Sequence, residues 1–354
     1  MRNYFLAACA AALFIIGCGA PEGSETTTAD DWAVAQETPS GASEPDADGF
    51  VWQTEQFADL KLIRYQVPGF DQLNERQQAL VYCLNQAGLS GRDIMYDQNN
   101  RYNLRVRHLL ESIYTGFEGD RTTNGWVRFE TYLKRIWFSN GIHHHYSNMK
   151  IQPEFSEGFF DELLAATSQS VTDEVRAVIF NPEVEAKKVE QDGTKGLVEN
   201  SAVNFYGPDV TTDEAVAFYE SLVDGSTRTP VEYSLNSRLV RNAAGEIEEQ
   251  TYKIGGLYSE AIEQIVFWLN QAAQYAENDK QAAALRNLIA YYETGDLVKW
   301  QLYNINWVQD TEGDVDYING FIEVYNDPLG YTGSYETVVQ IKDFDASERM
   351  KVLM

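Results

Sequence analysis

Apolar residues recur at helical spacing over most of the chain, and this pattern predicts a largely helical protein. One face of the first helix carries Leu73, Leu80, Val81, Leu84 and Ala87. Gly88 follows them and is a residue that commonly ends helices. The same spacing predicts further helices near 103–114, 126–141, 156–169, 172–180, 258–276 and 280–293.

Two kinds of local signal refine this picture. Thr211 and Glu214 have the spacing of a capping box, which predicts a helix start. The segments 233–241 and 247–254 flank a short Asn- and Gly-containing turn, which predicts a β-hairpin, and residues 315–325 read as a strand or strand pair. The fold class expected is therefore α+β, mostly helical.

The amino terminus has the pattern of an export signal. Arg2 precedes an apolar run from Tyr4 to Ile16 that is too short to span a bilayer comfortably. The run ends in Ile-Ile-Gly-Cys at Cys18, similar to the lipobox of bacterial lipoproteins. We therefore expect a signal peptide over 1–17 and lipidation of Cys18, which would anchor the protein to a bacterial membrane. The alternative is an ordinary cleaved signal in which Cys18 is incidental.

Composition changes the picture after Cys18. Residues 19–48 hold acidic but no basic residues and are rich in Gly, Ser, Thr and Pro. This composition predicts a disordered tether over 18–50, followed by the globular part over 51–354. The formal charge of the chain is −27, which argues against a nucleic-acid partner because phosphate backbones would be repelled.

Histidine and cysteine counts bear on metal binding. The chain has four histidines, and three of them are consecutive, His143 to His145. Three adjacent side chains cannot converge on one ion, and no His-Glu-x-x-His motif or cysteine pair at ligand spacing is present. The sequence therefore predicts no metal site built from this chain alone.

A candidate functional site lies at residues 321–330. If 321–325 is a strand, Glu323 and Tyr325 share one face about 7 Å apart. An acid beside a phenol can bind a cationic amine and donate to a developing oxyanion. The pattern alone favours the alternative, a solvated strand face.

Several motifs in order resemble the dipeptidyl peptidase III family. Phe321–Gly330 is similar to its Phe-Ile-Glu-x-Tyr-x-Asp-Pro-x-Gly pattern, and Trp307–Asp310 to an upstream Trp-(Ile/Val)-Gln-Asp. Segments 204–207, 211–215 and 236–239 follow the family's order, and 132–146 resembles its bacterial members.

The resemblance implies an exopeptidase that releases dipeptides from the amino terminus of short peptides. It implies two lobes around a cleft, one containing a small β-barrel. Glu323 would bind the free amine and Tyr325 the scissile carbonyl, while Asp327 and Pro328 would shape the turn that places them. Separately, the segment 141–146 is either a plain loop after the preceding helix or the polar lining of a peptide cleft, to which His145 and Tyr146 would contribute.

The resemblance also implies a zinc ion held by a His-Glu-x-x-Gly-His helix and a later glutamate. These are absent from the sequence and would lie beyond Met354. We therefore expect that the chain is the amino-terminal part of such an enzyme and that it is inactive alone. The alternative is a non-catalytic, lipid-anchored surface protein that binds peptides or partners. The oligomeric state stays open.

Overall fold

A computed structural model describes residues 41–223 and 232–353. The predicted signal peptide and Cys18 lie outside these residues. The chain divides into two units, Met1–Arg64 and Tyr65–Met354. Within the described part, no helix is both long and apolar enough to cross a membrane.

The first unit contains one antiparallel hairpin, β1 (Gln53–Phe57) and β2 (Leu60–Ile63). Its turn places Phe57 opposite Leu60, and both side chains are buried. Just upstream, the Asp46 carboxylate accepts hydrogen bonds from the backbone N–H groups of Asp48 and Phe50 and from the Trp52 indole. This turn forms within the segment whose composition predicts a tether.

The second unit is built from helices and two hairpins. The helices are α1 (Glu75–Ser90), α2 (Arg92–Asn99), α3 (Asn103–Gly116), α4 (Asn124–Ser139), α5 (Glu157–Ala166), α6 (Asp173–Phe180), α7 (Thr212–Leu222), α8 (Ser259–Gln274), α9 (Asp279–Thr294), α10 (Leu297–Gln309) and α11 (Phe344–Lys351). The strands are β3 (Ser237–Arg241), β4 (Ile247–Thr251), β5 (Val315–Glu323) and β6 (Ser334–Ile341).

Most predicted helices are confirmed, and the capping box is present at the start of α7 with both hydrogen bonds made. Gly88 does not end the first helix, because α1 continues to Ser90. Its role is close packing: a Cβ at Gly88 would lie 2.6 Å from the Thr337 hydroxyl. Helices α2 and α10 and strand β6 are not predicted by the sequence pattern.

Three clusters of buried side chains hold this unit together. The largest joins α1, α8, α9 and α10 to the β5–β6 hairpin. A second is aromatic-rich and lies among α3 to α6. A third surrounds Phe205, Tyr219 and Leu239, between α7 and β3.

The α+β class is confirmed, but the small barrel expected from the resemblance is not seen. In the described residues the six strands form three separate two-stranded sheets. The β5–β6 hairpin covers its inner face with α1 rather than with more strands, and the Tyr335 hydroxyl lies within hydrogen-bonding distance of the carbonyls of Ala87 and Gly88. Helix packing therefore buries the surface that a barrel would enclose.

Candidate functional site

The candidate site lies where the β5–β6 hairpin opens. Phe321 pairs with Tyr335 and Glu323 pairs with Ser334, so Ile322 is an extra residue on β5 and forms a bulge. Strand β5 ends at Glu323, which corrects the predicted strand over 321–325. The bulge shifts the register just before Glu323, and the residues after it lie beyond the end of the strand.

Glu323 and Tyr325 both face solvent at this strand end. Tyr325 is 68% exposed, whereas the intervening Val324 is partly buried against the largest core. Desolvation raises the pKa of the Tyr325 phenol, and the negative charges of Glu336 and Glu323 raise it further. The predicted acid–phenol pair therefore shares one electrostatic environment, to which Glu336 adds a second carboxylate.

Asp327 organises the turn that follows. Its buried carboxylate accepts hydrogen bonds from the backbone N–H groups of Leu329, Tyr331 and Thr332, at 2.9, 2.9 and 2.7 Å. Burial raises the pKa of this carboxyl, against the lowering effect of those hydrogen bonds. Pro328 lies partly buried inside the same turn, between Asp327 and the left-handed Gly330.

Two tyrosines from distant segments support this turn. The Tyr206 hydroxyl donates to the Asp327 carboxylate at 2.7 Å. Tyr219 lies 3.4 Å from Tyr206 through their hydroxyl oxygens and stacks on Tyr331 with ring centroids 3.7 Å apart. The motif at 204–207 thus contributes directly to the turn at 327–332.

Gln98 of α2 fixes the other side of the hairpin end. Its side-chain nitrogen donates to the Gly333 carbonyl at 3.0 Å, and its side-chain oxygen accepts from the Tyr335 N–H at 2.7 Å. These two bonds take the place of a neighbouring strand at the start of β6. Sequence reasoning did not identify Gln98, because nothing local marks a residue 237 positions away from its partner.

His145 and Tyr146 lie elsewhere in the second unit, on the loop after α4. The His145 ring packs against Phe138 and His144, with ring centroids 5.0 and 4.4 Å apart. Tyr146 is 86% exposed. These ring contacts are with the same loop and with α4, and a shared site with Glu323 and Tyr325 stays a prediction.

The other histidines of this loop are used internally. His143 is 3% exposed, and its Nε2 lies 2.7 Å from the Glu185 carbonyl, which can only accept, so Nε2 carries the proton. His144 Nδ1 accepts from the N–H groups of Tyr146 and Ser147. No group of three or more potential metal ligands occurs in residues 41–223 and 232–353. The described side chains therefore do not fit a zinc ion.

Burial of His143 makes the stability of the fold pH-dependent. Desolvation lowers its pKa to about 4, from an ordinary 6.5, and the nearby Lys188 and Lys150 charges act in the same direction. The unfolded chain then binds more protons between these values, so stability falls as pH drops from 6.5 toward 4. We expect a loss of about 2 kcal/mol between pH 7 and pH 5, measured by urea unfolding. His143→Gln should remove this part of the slope, whereas His108→Gln should keep it; equal slopes in all three proteins would contradict it.

Sequence comparisons match parts of this chain to known peptidases. The model of peptidase family M49 matches residues 214–354. Dipeptidyl peptidase 3 of Rattus norvegicus is 29% identical over 99 residues, covering 28% of this chain and 13% of that protein. Dipeptidyl peptidase 3 of Nematostella vectensis is 29% identical over 110 residues, covering 31% of this chain and 15% of that protein.

Solved structures agree on the fold. The chain is similar to DPP III from Caldithrix abyssi, with a TM-score of 0.54 and 18% identity, over 80% of this chain and 43% of that one. It is also similar to dipeptidyl-peptidase III from Corallococcus sp. strain EGB, with a TM-score of 0.56 and 16% identity, over 84% of this chain and 44% of that one.

Together these matches show that the chain is similar to peptidases in sequence and in fold. The comparisons confirm the resemblance to the dipeptidyl peptidase III family, peptidase family M49, that the ordered motifs predict. The matched regions span less than half the length of these relatives.

Proposed function

We propose that this chain forms the peptide-binding side of an exopeptidase that releases dipeptides from the amino terminus of short peptides. The observation that carries the proposal is the exposed pair Glu323 and Tyr325, at a strand end supported by the buried Asp327 turn. A carboxylate there can pair with the ammonium group at a peptide's amino terminus. An adjacent phenol can donate to a peptide carbonyl as negative charge develops on it.

The hairpin also suggests how a peptide would lie. β5 has one strand neighbour, β6, in the described part of the chain. An extended peptide can add to a strand edge through main-chain hydrogen bonds, while side chains at the strand end select its terminus. Glu323 and Tyr325 would then read the first residues of the peptide.

Zinc dependence is part of this proposal through the family relationship alone. Because the described side chains do not fit the ion, we assign no step of the reaction to it. The roles proposed for Glu323 and Tyr325 concern peptide binding and the placing of the scissile carbonyl, and both can be tested without turnover.

We expect the 354-residue chain to bind a short peptide with a free amino terminus better than its N-acetylated form. Glu323→Gln should weaken binding of the free form about tenfold or more, because a hydrogen-bonded charge pair is lost. It should leave the acetylated form unchanged. Isothermal titration calorimetry measures both affinities, and Glu312→Gln, an exposed glutamate on the loop before β5, is the matched control. Equal affinity for the two peptides in the unmodified chain would contradict the proposed function.

A dipeptidyl-arylamide assay with added zinc and with a chelator completes the test. Chelator-sensitive turnover would show that the chain carries the full reaction. Binding without turnover fits a contribution to one side of the cleft.

We further propose that the protein is exported and anchored through lipid on Cys18, as the sequence around that residue indicates. Labelling with a radioactive fatty acid in a bacterial host should mark the protein, and Cys18→Ser should abolish the label and release the protein from membranes. Unchanged membrane association of the serine variant would exclude this anchor.

A further inference from the structure

Three basic side chains share one face of the small ladder formed by the loop after α4. His143 and Lys150 stand opposite each other in an antiparallel bridge, and Met149 stands opposite Lys187 in the next one. Opposite side chains in an antiparallel pair point to the same face, and successive side chains alternate between faces. The face that carries His143 and Lys150 therefore also carries Lys188.

Two of these side chains have internal partners, but one of their atoms does not. The Lys150 ammonium group donates to the carbonyls of Asn181 and Val184, at 2.7 Å each. His143 uses Nε2 for the Glu185 carbonyl, whereas its Nδ1 is buried and has no hydrogen-bond partner among the described residues. Because Nε2 carries the proton, Nδ1 is an acceptor that needs a donor.

Lys188 is the third basic group, and it is 8% exposed. In the part of the chain that the structure describes, no acceptor or carboxylate pairs with its ammonium group. The nearest acids along the chain are engaged elsewhere: Glu185 pairs with Arg101 at 3.0 Å. Glu190 pairs with Lys187 at 2.8 Å. A buried cation without a counter-ion is costly, so binding of an anion at Lys188 would be favourable.

The two unpartnered groups define the chemistry of that anion. Lys188 offers up to three N–H donors, and His143 Nδ1 offers one acceptor. The Lys188 charge opposes protonation of the His143 ring, as expected for groups that lie close together on one face. Carboxylates and sulfate can only accept at neutral pH, whereas inorganic phosphate accepts through its oxygens and donates through its O–H.

We propose that Lys188 and His143 form a binding site for inorganic phosphate beside the loop after α4. The Lys188 ammonium group donates to phosphate oxygens, the phosphate O–H donates to His143 Nδ1, and Lys150 adds positive charge to the same face. The chain as a whole carries a formal charge of −27 and repels anions, so the affinity must come from this local arrangement. The site does not depend on the proposed peptidase activity.

Isothermal titration calorimetry of the 354-residue chain, at about pH 7.5 and constant ionic strength, compares inorganic phosphate with sulfate and methyl phosphate. Inorganic phosphate keeps an O–H group at this pH, whereas sulfate has none and a phosphomonoester has lost its last proton, since its second pKa is about 6. We expect phosphate to bind about fivefold more tightly than either anion, because only phosphate can donate to Nδ1. Equal affinities for the three anions, or no binding of phosphate, would overturn the proposal.

Three variants assign the binding to these residues, and far-UV circular dichroism verifies that each is folded. Lys188→Met should weaken phosphate binding about tenfold or more, because a charge-assisted hydrogen bond is lost. His143→Gln should lower the phosphate affinity to that of sulfate, since glutamine reaches the Nε2 position but has no acceptor at Nδ1. Lys187→Met is the matched control, because Lys187 lies on the opposite face and pairs with Glu190. A loss of phosphate affinity in Lys187→Met as large as in Lys188→Met would refute the assigned site, and the three-anion comparison needs no variant to fold.

Discussion

Asp327→Asn is expected to lower the free energy of unfolding by about 3 kcal/mol, because buried donors lose their acceptor. The carboxylate accepts from the N–H groups of Tyr331 and Thr332 through one oxygen, and from Leu329 and Tyr206 through the other. Asparagine can replace only one of those oxygens. Its NH₂ group would point either at the N–H donors of Tyr331 and Thr332 or at the Leu329 N–H and the Tyr206 hydroxyl. Either arrangement leaves buried polar groups unpaired.

The measurement is equilibrium unfolding in urea, followed by tryptophan fluorescence and by far-UV circular dichroism. Asp213→Asn is the matched control, since this exposed aspartate lies in the first turn of α7 and should change stability by less than about 0.5 kcal/mol. A loss at Asp327 no larger than at Asp213 would show that the turn does not depend on the carboxylate. The peptide affinity of Asp327→Asn should fall as well, because the turn places Tyr325.

Local sequence signals predicted the elements that are stabilised locally. The Thr211 and Glu214 capping box is present, because both hydrogen bonds form within four residues. Helix α4 ends at Ser139 and is followed by Asn140 in a left-handed conformation, close to the predicted stop at Gly141. α2 spans eight residues and contains several polar ones, so its apolar pattern is too short to detect, although Ile94, Tyr96 and Gln98 are buried.

The same distinction between local and long-range contacts applies to the candidate site. Glu323 and Tyr325 were found because the family motif is contiguous in the sequence. Gln98 and Tyr206 reach the site from other elements, and their roles depend on long-range packing that no local pattern encodes. The barrel expectation was wrong for a related reason: it came from the whole family's fold, whereas in the described residues helices cover the hairpins.

The close approach of α1, α2 and β6 leads to the last prediction, Gly91→Ala. Gly91 joins α1 to α2, and a Cβ there would lie 2.1 Å from Cζ and 2.5 Å from the hydroxyl of Tyr335. Tyr335 is 1% exposed, and its hydroxyl accepts a hydrogen bond from the Asn319 amide at 3.1 Å. The ring therefore has no room to yield. We expect a loss of about 3 kcal/mol in unfolding free energy, against the small gain that Gly→Ala gives at an unstrained site.

Two comparisons separate this clash from a general effect of alanine. Gly193→Ala should stay within about 0.5 kcal/mol of the unmodified chain, because no atom lies within 4 Å of the Cβ it would add. Tyr335→Leu removes the obstructing ring end, so the double variant Gly91→Ala/Tyr335→Leu should be more stable than the sum of the two single losses allows. If the two losses in unfolding free energy were additive, the destabilisation by Gly91→Ala would have a cause other than the clash with the Tyr335 ring.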